Sequence, residues 1–137
     1  MLHVYQLPLP TTDNQRLPLA ALHKDIQMLF VENFGGFTAT PCLGGYKNSN
    51  GDIQIDNNIL YQIGIKLTAD NLDSIRAIAC FFGAQARQES VFLIHPDGQR
   101  ELILASQFWK PAAAWQMLAN LRLTERKNRN NSWNLNV

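Results

Sequence analysis

The chain has 137 residues, 17% of them charged, and a formal net charge of +1. That length fits one compact domain with one core. A hydrophobic content of 46% excludes a disordered body, and near-neutrality excludes a strongly basic nucleic-acid-binding surface.

Residues 2–9 alternate, with Leu2, Val4 and Gln6 on one side and His3, Tyr5 and Leu7 on the other. They read as a strand stopped by Pro8 and Pro10. No Lys or Arg precedes this run, so no secretory signal is expected. The longest apolar run, 78–83, is far short of the ~20 residues that span a bilayer. A cytoplasmic protein with no membrane partner is expected. Residues 11–16 are polar and form a loop.

A helix is predicted over 18–34. Pro18 suits its first turn. Leu19, Leu22, Ile26, Leu29, Phe30 and Phe34 form its core-facing stripe. His23, beside Lys24, reads as solvated. Gly35 and Gly36 end the helix through a positive φ. Residues 37–43 are β-prone, and Pro41 marks an edge strand or a bulge. Asn50-Gly51 signals a hairpin. Ile53, Ile55, Ile59, Tyr61, Ile63, Ile65 and Leu67 then keep odd parity over a long, half-buried antiparallel strand. A bulge is expected near Asp56-Asn57-Asn58.

Asp70 is the expected cap of a second helix with the stripe Leu72, Ile75, Ile78, Ala79, Phe82 and Ala86. Residues 91–95 form a strand, Pro96-Asp97-Gly98 turns it, and 101–105 return as a fifth strand. Cys42 and Cys80 sit in apolar stretches and read as buried thiols in a reducing compartment. After Trp109 the character changes. Pro111 opens a short helix over 111–121, and residues 124–137 are Asn- and Arg-rich with little to bury.

The fold class is therefore α+β: a ferredoxin-like βαββαβ sandwich with an extra hairpin strand and a C-terminal helical extension. Residues 1–108 form the domain, and 109–137 form the helix and basic tail. Two helices cover one sheet face. Tyr5, Tyr61 or their neighbours occupy the other, depending on register. This order, the Gly35-Gly36-Phe37-Thr38 step, the Gly44-Gly45-Tyr46 break and the Gly83…Gln88-Glu89-Ser90-Val91 entry resemble the dimeric ferredoxin-like α+β superfamily. That superfamily includes antibiotic-monooxygenase-like domains. There is also a looser likeness to an uncharacterised small bacterial family. The resemblance covers about residues 2–105. It implies homodimers and, in some members, a small-ligand cavity between helices and sheet. It transfers no catalytic residue.

Candidate ligand-binding residues are His3, Tyr61 and His95. His3 and His95 fall on neighbouring strands, with Glu89 or Asp97 near enough to complete a proton-transfer site. The alternative is that His3 faces the open sheet and His95 merely ends a strand. No metal, P-loop, dinucleotide or hydrolase motif is present, so no cofactor and no metal are expected. The aspartates Asp52, Asp56 and Asp97 read as turn residues.

The charge is uneven. From Ala119 onward Arg122, Arg126, Lys127 and Arg129 stand against Glu125 alone, a local +3, while the body carries −2. With Trp133 this tail can contact phosphates and bases, dock on an acidic protein groove, or simply stay solvated. Trp109 and Trp115 suit an interface or packing on their own domain. The main expectation is a non-enzymatic protein-interaction module: a small homodimeric accessory or inhibitor protein acting on a larger protein or nucleoprotein complex. One alternative is a small-ligand binder or small enzyme with a cavity between helices and sheet. The other is RNA or DNA binding through the tail.

Overall fold

The computed structural model describes residues 1–105. The expected C-terminal helix and tail, with Trp109, Trp115, Arg122, Arg126, Lys127, Arg129 and Trp133, lie outside them. The described elements run β1 (Leu2–Pro10), α1 (Ala20–Phe34), β2 (Thr38–Lys47), β3 (Ile53–Lys66), α2 (Ala69–Gln85), β4 (Ser90–Ile94) and β5 (Arg100–Leu104). The strands form one antiparallel sheet in the order β2-β3-β1-β4-β5. Thus α1 joins two strands separated by β3, and α2 joins two strands separated by β1. The fifth strand extends that order, so the sheet is not the simple four-stranded ferredoxin arrangement. No described helix is long and apolar enough to cross a membrane.

Odd parity fixes which face is covered. The β1–β3 register pairs Tyr5 with Ile63, Leu7 with Tyr61 and Leu9 with Ile59. These residues lie on the covered face with Val91, Leu93 and Ile103, packed under Ile26, Phe30, Ile75, Ile78 and Phe82. Tyr5 and Tyr61 are therefore core residues, not open-face ones. His3 is opposite Ile65, so it too sits on the helix side rather than on the open sheet. The open face carries Leu2, Val4, Gln6 and Pro8 of β1, Phe92 and Ile94 of β4, and Leu102 and Leu104 of β5.

Several local expectations change. Helix α1 starts at Ala20, and its first turn has no side-chain cap. Its end is as expected: Gly35 takes φ 87 and donates to the Val31 carbonyl at 2.8 Å. Thr68, not Asp70, caps α2 by accepting the Asn71 N–H at 3.1 Å. A hydroxyl placed one residue before the helix reaches that N–H, whereas Asp70 already lies in the first turn. No bulge interrupts β2–β3: pairing runs unbroken through Cys42↔Asn58, Leu43↔Asn57 and Gly44↔Asp56. The Asn57-Asn58 pair is polar because its surroundings are exposed, not because the strand slips. Pro41 lies on β2 at the edge of the sheet, where its missing N–H costs no ladder bond. Neither cysteine forms a disulfide; Cys80 is buried, with its Sγ 3.5 Å from the Leu104 and Ala105 carbonyls, and Cys42 is half-buried.

Candidate functional site

A concavity forms because β3 outlasts β1. The β1–β3 register ends at Pro10↔Asn58, while β2–β3 pairing continues to Lys47↔Ile53. Beyond Asn58 the two outer strands pair only with each other and form a projecting arm. The chain leaves β1 at Thr11, whose N–H and Oγ1 both donate to the Asn57 carbonyl, at 3.0 and 3.1 Å. The following loop folds on Asp13. One carboxylate oxygen accepts the N–H of Gln15 and of Leu17, at 2.8 and 2.9 Å. Such an Asx turn is why Asp is favoured there. Asn14 donates to the Arg87 carbonyl, and Gln88 donates to Asn14 Oδ1, each at 3.2 Å. The loop is thereby tied to the end of α2.

Between this loop and the arm lies a cleft of about 850 Å³. Its walls include Asp13, Asn14, Arg16, Tyr46, Gln54 and Asp56. Tyr46 is paired with Gln54, and Asp56 with Gly44. Tyr46, Gln54 and Asp56 thus share one face of the arm. A Cβ at Gly44 would meet Asn58 Nδ2 at 2.6 Å, so glycine leaves room for that amide beside Asp56. The Asp56 carboxylate makes no hydrogen bond or ion pair among the described residues. It is a half-buried acceptor open to a ligand. The expectation of Asp56 as a turn residue is corrected: it lies inside β3.

The base of the cleft is held from within the core. His23 Nε2 donates to the Pro10 carbonyl at 2.8 Å, and His23 Nδ1 accepts from the Tyr61 hydroxyl at 2.7 Å. Gln27 Nε2 donates to the same hydroxyl oxygen at 3.1 Å. The carbonyl can only accept, so the proton sits on Nε2 and the ring is neutral. Both His23 ring nitrogens, the Pro10 carbonyl and the Tyr61 hydroxyl are thus hydrogen-bonded, as burial requires. Burial lowers the pKa of His23, against the opposing hydrogen bond to Pro10. Burial pushes Tyr61 up to about 12, with the Gln27 bond pulling the other way. His23 is only 3% exposed, which overturns its reading as solvated.

A second polar cluster lies at the far end of the sheet. His95 Nε2 donates to Glu101 Oε1 at 2.8 Å. Arg76 of α2 grips the same carboxylate in a fork, Nε to Oε2 and Nη2 to Oε1, both at 2.8 Å. Tyr5 meets the His95 ring edge-on, with centroids 5.1 Å apart. Burial raises Glu101, but hydrogen bonds and charges from Arg76 and His95 overcome it and leave the pKa lowered. Burial raises the Tyr5 hydroxyl, with Arg76 opposing.

The expected trio does not converge. His95 neighbours Tyr5, Tyr61 lies beyond β1 in the core with His23, and His3 lies opposite Ile65. His95's carboxylate is Glu101, not Glu89 or Asp97. Asp97 instead accepts the Gln99 N–H at 3.0 Å within the turn. Sequence reasoning missed His23, Gln27, Arg76 and Glu101. Signals existed: His23 is four residues from Leu19 and three from Ile26, on the buried stripe, and Gln27 follows at i+4. The space between helices and sheet is filled by Leu7, Tyr61, Phe30 and Phe82, all fully buried. The open concavity lies instead at the sheet's edge. Among the described residues no group of three or more His, Cys, Asp or Glu is placed to hold a metal ion.

No family model matches the chain, and no curated protein matches it. Two solved structures share its fold. A phage SAM lyase in complex with S-methyl-5'-thioadenosine is similar with a TM-score of 0.54 and 15% identity, over 78% of this chain and 92% of that one. A phage SAM lyase in the apo state matches with a TM-score of 0.55 and 15% identity, over 77% and 90%. This corrects the expectation of a non-enzymatic accessory or inhibitor module. The fold this chain shares is one that an enzyme uses, and that enzyme was solved with a small nucleoside bound.

Proposed function

We propose that the chain is a small-ligand enzyme whose ligand is a SAM-type nucleoside, held in the cleft between the 11–17 loop and the β2–β3 arm. The observation that carries this is the fold shared with a phage SAM lyase. The cleft supplies the location. Tyr46 offers an aromatic face for a purine, a contact worth about 1–3 kcal/mol per base. Asp56 supplies an unpaired carboxylate for ribose hydroxyls or a sulfonium cation. The Gln54 amide can read the base edge. In the same reading the first six elements form a ferredoxin-like split βαβ unit, supported by the β2-β3-β1-β4 order.

Calorimetric titration with S-adenosylmethionine and with S-methyl-5'-thioadenosine, alongside chromatography of the reacted nucleoside, tests the proposal. Binding of at least one is expected. Asp56→Asn and Tyr46→Ala should each weaken it about tenfold or more, or ~1.4 kcal/mol. Absence of binding and turnover in the wild type would sink the reading.

One observation favours a second location for chemistry. Glu101 fixes the proton of His95 on Nε2, and Nδ1 has no partner among the described residues. A partly buried imidazole so oriented is a base at Nδ1. Turnover lost in His95→Gln with ligand affinity retained would assign the proton transfer there. Unchanged turnover would confine the chemistry to the cleft.

A further inference from the structure

Three charged side chains line the cleft: Asp13, Arg16 and Asp56. Asp13 serves its own loop, since one of its carboxylate oxygens accepts the Gln15 and Leu17 N–H groups. Arg16 belongs to the loop wall and Asp56 to the arm wall. Among the described residues neither side chain makes an ion pair or a hydrogen bond. A guanidinium and a carboxylate that share a cleft without meeting leave one charge of each sign for a ligand.

The backbone also marks Arg16. Asp13 donates its N–H to the Leu17 carbonyl at 2.9 Å, and Arg16 donates its N–H back to the Asp13 carbonyl at 3.0 Å. Thr12 and Pro18 bridge below this turn. Arg16 then takes φ 61, in the left-handed region that glycine or asparagine usually fills at the end of such a loop. Residues other than glycine held in that region gather at ligand sites.

We propose that Arg16 reads a ligand carboxylate, so that the cleft selects a nucleoside still carrying its α-amino-acid end. This rests on the cleft being the SAM-type nucleoside site. The charges match group by group. The cleft sets two carboxylates against one guanidinium, whereas S-adenosylmethionine sets a sulfonium and an ammonium against one carboxylate. S-methyl-5'-thioadenosine carries no charge. A guanidinium fork meets a carboxylate through two parallel hydrogen bonds.

Calorimetry on the full chain with three ligands tests this. They are S-adenosylmethionine, S-methyl-5'-thioadenosine, and S-adenosylhomocysteine, which keeps the amino-acid end and lacks the sulfonium. The wild type should bind the two amino-acid nucleosides more tightly than the thioether. Arg16→Asn suits the left-handed backbone. It should weaken both amino-acid nucleosides about tenfold and leave the thioether unchanged, with native far-UV circular dichroism. Arg16→Gly should repeat this result. Arg87→Asn replaces an arginine at φ 57 outside the cleft walls and should change none of the three. An Arg16→Asn protein that keeps all three affinities, or loses all three alike, overturns the proposal while nucleoside binding stands. A wild type that binds only the thioether does the same. A wild type that binds none overturns the proposal and the nucleoside site together.

Discussion

His23 and His95 each give an Nε2 proton to an oxygen 2.8 Å away, yet they belong to opposite kinds of site. The oxygen facing His23 is a backbone carbonyl, and its other nitrogen takes a tyrosine proton. No charge enters that relay, and nothing in it is exposed. The oxygen facing His95 is a carboxylate already gripped by an arginine, with the His95 and Glu101 side chains 21% and 26% exposed. The first arrangement is intolerant of protonation. The second centres on an arginine–carboxylate pair that water can partly reach. A hydrogen-bonded histidine is therefore not a functional signal by itself; its partner's charge and its exposure decide what it does.

The largest effect should come from breaking the buried relay. His23→Ala removes a ring packed edge-on against Phe82 and orphans the Tyr61 hydroxyl and the Pro10 carbonyl. It should cost about 3 kcal/mol, combining a cavity with unsatisfied polar groups. Urea unfolding with an unchanged m-value reads this. Tyr61→Phe keeps the ring and removes only the hydroxyl, so about 1–2 kcal/mol is expected. A loss as large as that of His23→Ala would mean the relay acts through its hydrogen bonds rather than through packing of the histidine ring.

The pH dependence follows the same contrast. His23 titrates lower in the fold than when unfolded, so the unfolded chain binds the extra proton first. Its contribution is intact above the unfolded value near ~6.5 and is lost as pH falls through the lowered native value. Glu101 is also lowered, but from the carboxylate range. Its contribution is present above about pH 4.3 and disappears only in stronger acid. Thermal melts across pH should show two separate acid limbs. The upper limb should vanish in His23→Ala, and its persistence there would assign it to another group.

Glu101→Gln should be milder than either core change, about 1 kcal/mol or less, because exposed charge pairs are weakly coupled. The smallest stability effect belongs to Asp56→Asn, within about 0.5 kcal/mol. Its carboxylate has no internal partner to lose, so its effect should appear in ligand affinity.

Parity and helical spacing carry far in this chain. The helix stripes and the odd positions of β3 from Ile59 to Ile65 match the packed set, whereas Ile53, Ile55 and Leu67 keep the same parity and are exposed. Parity along one strand does not say which face the helices choose, so Tyr5, Tyr61 and His3 were placed by register and not by pattern. His23 looked solvated because its neighbour Lys24 is charged, although its spacing from Leu19 and Ile26 put it inside. Glu101 and Arg76 meet only after a hairpin and a crossover fold together, and single-chain spacing does not encode that meeting. The cleft was the least accessible feature, since it depends on two strands ending at different heights.

That unequal ending has a mechanical consequence. From Asn58 to Gln62, β3 lies between two partners; from Ile53 to Asn57 it has β2 alone, and from Ile63 to Lys66 it has β1 alone. A two-stranded ribbon is marginal alone, and Leu43, Ile53 and Ile55 on it are largely exposed. One strand thus joins a rigid foundation to a compliant lever, with Asn58 as the fulcrum. Tyr46 and Asp56 ride on the lever, whereas the 11–17 loop is fastened to the body of the domain through Asn14, which bonds Arg87 and Gln88. Bending the ribbon widens or narrows the space between them without disturbing a single core contact.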